Sequence, residues 1–518
     1  MANQDIRKPG DTFFAPKRSL KSPLRRVLST SGLFSSGYGD VGSSIYYGLG
    51  LIALVALGAT PIVLGIAGII YVFNALSYAE GGAMLPEAGG SASFARHGFN
   101  NLIGFIAGWA LMLSYIVTMA ISAYTIPPYL AYFWPVLKDP LPGTALSMGI
   151  IFFLMVMNVI GIKESSRMNI LFIVIDILTQ LTMIALGIFL ILLPNPGILI
   201  EHMFGAGNWP SVNNFIYGIA IAALCFTGVE TVSQLGEETR KPEKRIPRAY
   251  ILMIVAVLVL FAGISVVALS AMTPQMLGDP VNGWARDPVA GIANGIFQAV
   301  SPQDLASGIT TEQVPQILLT ALLTGLRNLL PVFVSLLAAS ILLTATNAGL
   351  MGISRLTYNL SSHDQLPSAF KRVHPKFRTP YIAIILFCCI SIILLVPGLF
   401  APAFFSDLGA LYVFGSLLCF ALAHASILGL RVRKPDMPRP FKLKLNIKIK
   451  GRELPLTAIL GLAATVTIWI VILITQPFSR WAGFAWMAIG LIIYFVYRFL
   501  KRKLSMGNNS VDNNNNSH

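Results

Sequence analysis

The sequence predicts an all-α polytopic membrane protein of about twelve transmembrane helices, and three observations predict it. Long apolar runs recur along the whole chain. Residues are 55% hydrophobic and only 11% charged. Lys and Arg collect in alternate loops. A soluble protein of 518 residues would need far more charge to cover its surface. The net charge of +15 would suggest nucleic acid in a soluble chain. Here the position of the basic residues accounts for it, so the expected surroundings are a lipid bilayer and no nucleic acid.

Residues 1–32 are polar and basic, lack the apolar stretch and cleavage site of a signal peptide, and read as a cytoplasmic tail. Candidate spans follow at 33–57, 60–82, 101–132, 144–161 and 168–193, then at 212–235, 248–272, 316–350, 380–397 and 403–430. A basic loop, 431–454, precedes the last two, 455–475 and 480–500. Each is long enough to cross about 30 Å of hydrocarbon as a helix. With the N-terminus inside, the clusters Arg7–Arg26, Arg240–Arg248, Arg355–Arg378, Arg431–Arg452 and Arg498–Lys503 are all inside, and Lys138, Arg286 and Arg480 are outside. Both termini are therefore expected in the cytoplasm, with the chain integral to the cell's inner, cytoplasmic membrane.

The outer loop 273–312 carries Asp279, Asp287, Asp304 and Glu312. It either covers the external mouth or merely connects; its weak apolar pattern favours the connector. "PRPFKLKLNIKIKGR" alternates apolar and basic residues, as a short strand or an interfacial segment facing anionic lipid would. The tail 501–518 is low in complexity and expected to be disordered. Cys225, Cys388, Cys389 and Cys419 fall inside apolar runs and read as packing residues, neither disulfides nor metal ligands.

The ionisable residues within spans are Asp40, Glu80, Asp176, Glu230, Arg327 and His424. A charge at mid-bilayer costs several kcal/mol unless it faces protein or water, which makes each a functional candidate. Glu80 lies near the inner end of its helix, within reach of the interface. Asp176, Arg327 and His424 fit a structural hydrogen-bond role as well as a direct one. Asp40 and Glu230 differ because glycines interrupt their helices: Gly37, Gly39 and Gly42 flank the first, Gly218, Gly228 and Gly236 the second. Glycine lets a backbone leave helical geometry, and unwound backbone is tolerated at membrane depth only where it lines a cavity. Interruptions in the first and sixth spans predict two repeats of five helices, inverted because five is odd. The other reading is that these glycines only permit close helix packing. In the third span Ser114, Tyr115, Thr118 and Ser122 share one broad face, which suits either a neighbouring helix or a dehydrated cation.

No phosphate-binding Gly-x-x-x-x-Gly-Lys-[Ser/Thr] pattern and no metal-enzyme spacing is present, so neither an enzyme activity nor a cofactor is expected. The remaining classes are a secondary transporter, a channel and a membrane scaffold, and acids in broken helices favour the transporter.

Several stretches resemble the amino acid–polyamine–organocation (APC) superfamily of permeases: "LPEAGGSASFARHGFNNLIGFIAGWALML", "TGVETVSQLGEETRKPEKRIPRAY", "SRLTYNLSSHDQLPSAFKRVHPKFRTPYIAIIL" and "RKPDMPRPFK". The resemblance implies the five-plus-five inverted-repeat (LeuT/APC-like) fold, solute bound at unwound parts of helices one and six, and alternating access driven by protons or sodium. The first span departs from the usual Gly-[Ser/Ala]-Gly-Ile-Phe: it reads Gly42-Ser43-Ser44-Ile45-Tyr46. "YGDVGSSIYY" instead resembles the Kup and KimA potassium–proton symporters. That implies potassium ligands at Asp40 and Tyr47, at Tyr115, Thr118 and Ser122, and at Thr227, with Asp40 and Glu230 in proton coupling. The chain has Ser114 where the KimA pattern has an aspartate.

Two substrates follow. Asp40, Tyr47, Thr118, Ser122, Thr227 and Glu230 offer only oxygens, which suits a hard cation and leans the prediction to potassium symport. The alternative is an amino acid or amine, its ammonium on Asp40 and its carboxylate at Ser43, Ser44 and the N–H groups near Gly42.

Overall fold

The computed structural model describes residues 26–161, 166–298, 316–401, 404–449 and 451–515, with side chains for all of these except 166–167, 316–323 and 502–515. Asp304 and Glu312 lie outside the described residues.

Among the described residues eleven helices are long and apolar enough to cross a membrane, and the first, Thr30–Met84, is 55 residues and makes two crossings. The chain turns at Leu57, which takes φ 47, and restarts through Thr60 and Pro61. Thr60 Oγ1 donates to the Leu57 carbonyl at 2.6 Å, and proline suits the first turn of a helix. Twelve spans result. Span 1 is α1 (Thr30–Ser43) and α2 (Ile45–Ala56); span 2 is α3 (Thr60–Met84). A short inner helix, α4 (Ser91–Gly98), leads to span 3, α5 (Asn101–Leu130). Spans 4 and 5 are α6 (Pro140–Ile160) and α7 (Ser166–Gly187), and α8 (Gly197–Phe204) follows them. Span 6 is α9 (Val212–Ala222) and α10 (Thr231–Gln234); span 7 is α11 (Pro242–Ala271). After α12 (Pro274–Gly278) and α13 (Pro288–Gln298) come spans 8 to 10: α14 (Gln316–Ser362), α15 (Tyr381–Leu394) and α16 (Phe404–Arg433). Strands β1 (Asn446–Ile449) and β2 (Arg452–Pro455) precede spans 11 and 12, α17 (Leu456–Thr475) and α18 (Pro477–Asn515).

The two halves interlock as an inverted repeat requires. Span 2 lies along span 7, and span 3 along span 8, each helix beside its equivalent in the other half. Span 3 is the central post: 83% of its apolar window is buried, against 22% for span 12, whose Ile492, Phe495 and Phe499 face outward as lipid-contacting residues do.

The glycines of the first span behave as the packing alternative predicts. Gly37, Gly39 and Gly42 stay inside α1, which gives way only at Ser44. A Cβ on Gly37 would lie 2.5 Å from Val232 Cγ2, and one on Gly42 would lie 2.7 Å from the Tyr38 ring. The sixth span is the one that unwinds, over Thr227–Glu230, where Gly228 takes φ 95.

Two loop expectations change, and the strand expected in the basic loop forms. Described residues of the outer loop form a packed cap, not a connector. Leu277, Ile292 and Ile296 are fully buried, and the Ala285 carbonyl comes so close to span 1 that a Cβ on Gly50 would sit 2.0 Å from it. The alternating basic segment is a strand pair, Asn446↔Pro455 through Ile449↔Arg452 antiparallel. The low-complexity tail continues α18 as far as Asn515, because a helix already nucleated in the membrane extends with one hydrogen bond per residue.

Basic segments gather on one face. Residues 26–28 hydrogen-bond to 238–240 through Val27 N and Leu28 N to the Glu238 carbonyl and Arg240 N to the Leu28 carbonyl. Arg355 of span 8 pairs with Glu238 at 2.9 Å.

Candidate functional site

The interruption of span 1 and the unwound stretch of span 6 face each other, and Asp40 fills the gap. Asp40 is 2% exposed. Its Oδ2 accepts a hydrogen bond from Thr231 Oγ1 at 2.5 Å; its Oδ1 is buried and has no hydrogen-bond partner. Gly228 has room for no side chain because Asp40 is there: a Cβ would lie 2.7 Å from Asp40 Cγ. The left-handed φ and the close approach both demand glycine.

The remaining predicted site residues divide into those with free oxygens and those whose oxygens are spent locally. Glu230, the N-cap of α10, is 1% exposed, stands within electrostatic reach of Asp40, and leaves Oε2 unpartnered. The Tyr115 hydroxyl and Ser122 Oγ are also buried without a hydrogen-bond partner, and Tyr115 lies within electrostatic range of both acids. Tyr47 shares a 2.9 Å hydrogen bond with Ser44 and approaches Asp40 and Ser122. Ser43 donates to the Asp40 carbonyl at 2.8 Å, Thr118 to the Ser114 carbonyl at 2.9 Å, and Thr227 to the Leu224 carbonyl at 2.7 Å. Ser114 Oγ meets Ser416 Oγ of span 10 at 2.7 Å. Gly42 lies under the Tyr38 ring.

Two contributors escape the sequence. Thr231 holds Asp40, and Tyr412 of span 10 comes within electrostatic reach of Tyr47, Asp40 and Glu230. Thr231 is signalled only by its place beside Glu230, and Tyr412 by nothing in its apolar run.

The other intramembrane ionisable groups lie elsewhere. Arg431 Nε and Nη2 grip Glu80 at 2.8 Å each, and the Leu443 N–H adds a third bond at 3.1 Å. His424 lies between Ser77 Oγ at 2.9 Å and Asn74 Oδ1 at 2.7 Å, which fits a structural role. Arg327 is exposed, beside a cavity of about 370 Å³ lined also by Tyr132, Asn294, Gln298 and Asn328. Asp176 binds two tyrosines of span 1.

Outside the spans, electrostatics tie loops down. Burial works against ionising Glu87, but hydrogen bonds from His97 and Ser93 and the charge of Arg96 outweigh it and hold the carboxyl at about 2. At the opposite face burial pushes the Asp287 carboxyl up to about 6, with Lys138 and Arg286 pulling it back.

The glycine requirement is directly testable. Gly228→Ala is expected to cost about 1–3 kcal/mol from the backbone alone and to displace the Asp40 carboxyl. Thermal unfolding in detergent should show a lowered midpoint. An unchanged midpoint would mean that Asp40 and residue 228 are not in contact.

The profile described as "Amino acid permease" matches residues 28–497 of this chain. The branched-chain amino acid permease BcaP of Bacillus subtilis (strain 168) is 26% identical over 93% of this chain and 95% of its own. The methylthioribose transporter of the same organism is 27% identical over 95% and 97%, and its glutamate/serine transporter AimA is 25% identical over 94% and 84%. With nearly the whole chain inside the family profile, this protein belongs to the amino acid permease family of the APC superfamily and is an integral membrane transporter.

Proposed function

We propose that this protein is a secondary-active carrier that takes up an amino acid or a related amine across the cytoplasmic membrane, coupled to protons. The observation that carries the proposal is the free, buried Oδ1 of Asp40 beside the unwound Thr227–Glu230 stretch. An ammonium group there would meet a carboxylate already held on its other oxygen by Thr231. A substrate carboxylate would lie at the positive N-terminal end of α2, beside Ser43 and Ser44. Glu230, with Oε2 free and Asp40 within electrostatic reach, is the acid placed to carry a coupling proton.

This reverses the sequence-based ranking of substrates. The all-oxygen set around Asp40 fits potassium as well, but the family profile and the relatives described concern organic solutes, and this favours the amino-acid reading. The test is uptake into proteoliposomes of the full chain under an inward proton gradient, with a panel of radiolabelled branched-chain, acidic, hydroxyl and basic amino acids beside rubidium as a potassium tracer. Saturable uptake of at least one amino acid is expected. Rubidium uptake with no amino-acid uptake would overturn the proposal.

A further inference from the structure

Asp176, in the middle of α7, is fully buried, and no ion pair reaches it among the described residues. Its oxygens take three hydrogen bonds instead. Tyr46 Oη donates to Oδ1 at 2.5 Å, while Tyr38 Oη and Gln180 Nε2 donate to Oδ2 at 3.0 and 2.9 Å. Tyr38 belongs to α1 and Tyr46 to α2, so one carboxylate on span 5 grips both halves of span 1 across the interruption at Ser44. The chain of bonds runs further. The Tyr46 carbonyl accepts from Tyr129 Oη of span 3 at 2.7 Å, and Tyr129 Oη accepts from the Val289 N–H of the outer cap at 3.3 Å.

The donor count distinguishes the two protonation states of this acid. An ionised carboxylate only accepts, and here every bond to it comes from a donor. A protonated Asp176 must place one O–H of its own. Its partners can accept that proton only if Tyr38 or Tyr46 turns from donor to acceptor, or if the Gln180 amide turns its unpartnered Oε1 toward it. By either route the bonds from Tyr38 and Tyr46 lose a charged acceptor, so proton binding at Asp176 weakens what ties span 1 to span 5. Among the described residues no charged side chain hydrogen-bonds to Asp176. Span 1 presents Tyr38 and Tyr46, and Tyr129 stands behind Tyr46. Span 7 meets α7 through Gly263 and Val267, packed on Ile184 and Gly187. No hydrogen bond from α11, α13 or α14 reaches Asp176 among the described residues.

We propose that Asp176 is a proton-accepting site that latches both halves of span 1 to span 5, and that taking up a proton there releases span 1 to move. This rests on the carrier reading above but not on the identity of the solute. The proton adds to one Asp176 oxygen, converting carboxylate to carboxylic acid, and is released to water on the other side when span 1 returns. Asp176 acts through span 1 and is a positioning residue.

The test uses the full chain in detergent and needs no solute, so its failure and that of the amino-acid reading are separable. Infrared difference spectra on acidification should show a protonated-carboxyl band that Asp176→Asn removes. Hydrogen–deuterium exchange of peptides covering residues 38–47, corrected for intrinsic rates, should rise as pH falls. Asn, like the protonated acid, is neutral and pairs an acceptor oxygen with a donor group. Asp176→Asn should therefore exchange about tenfold faster than the wild type at high pH, the loss of one charge-assisted hydrogen bond, and show no pH dependence. Asp176→Glu should restore the pH dependence. A band that persists in Asp176→Asn, or wild-type exchange independent of pH, overturns the proposal. Should Asp176→Asn fail to fold, Tyr46→Phe carries the test: it must move the midpoint of the infrared band, and an unmoved midpoint overturns the latch.

Discussion

Asp40→Asn is expected to reduce amino-acid uptake by about a hundredfold or more while leaving the protein folded. Removing one member of a buried, hydrogen-bonded charge pair costs about 2–5 kcal/mol of binding, and each 1.4 kcal/mol is about tenfold. Asparagine keeps the shape and can still accept from Thr231 through Oδ1, so the bond at 2.5 Å has a substitute and folding should survive. What disappears is the negative charge at the free oxygen. The check is initial uptake in proteoliposomes of equal protein content, with monodisperse elution and an unchanged thermal midpoint as the folding control. Wild-type uptake in this variant would remove Asp40 from the site and, with it, the argument for an ammonium-bearing substrate.

Arg431→Ala is expected to give the largest loss of stability. Glu80 is fully buried, and Arg431 is only 5% exposed. The arginine delivers two parallel 2.8 Å bonds, leaving the Leu443 N–H at 3.1 Å and Arg439 Nε at 3.9 Å as the remaining polar neighbours of the acid. Breaking a buried pair from one side costs about 3–5 kcal/mol when nothing else compensates the charge, and less here because the Arg439 guanidinium stays at 3.9 Å. Replacing both partners removes that charge, so Glu80→Gln with Arg431→Met should recover most of the loss. Thermal unfolding of the two variants reads this out. A double variant no more stable than Arg431→Ala would show that the loss does not come from the charge left on Glu80. The pair also explains why a glutamate sits at the end of span 2: it anchors span 10 and the segment leading into the β1–β2 strand pair.

The membrane class and the crossings were legible because their signals are local. Transfer of a helix into lipid is a sum over consecutive side chains, and an apolar run of sufficient length declares itself without knowledge of its neighbours. The two acids in glycine-interrupted spans were legible for the same reason, since a charge at membrane depth is costly wherever it lies. Residues whose role depends on a distant partner were not. Thr231 became part of the site only when span 6 was laid against Asp40, 191 residues earlier. His424, equally suspect in sequence, proved to be satisfied by Ser77 and Asn74, about 350 residues away in the chain.

The sequence by itself therefore determined that this chain spans the membrane about twelve times, that it places its basic residues in alternate loops, and that it carries acids where helices one and six are interrupted. Only the tertiary structure decided what each interruption is for. Gly42 and Gly228 look alike in a string of letters, yet the first lies under the Tyr38 ring inside a helix, while the second takes φ 95 and has the Asp40 carboxyl in the space a side chain would need. Burial in lipid is priced residue by residue, whereas steric room and hydrogen-bond partners are properties of two surfaces brought together.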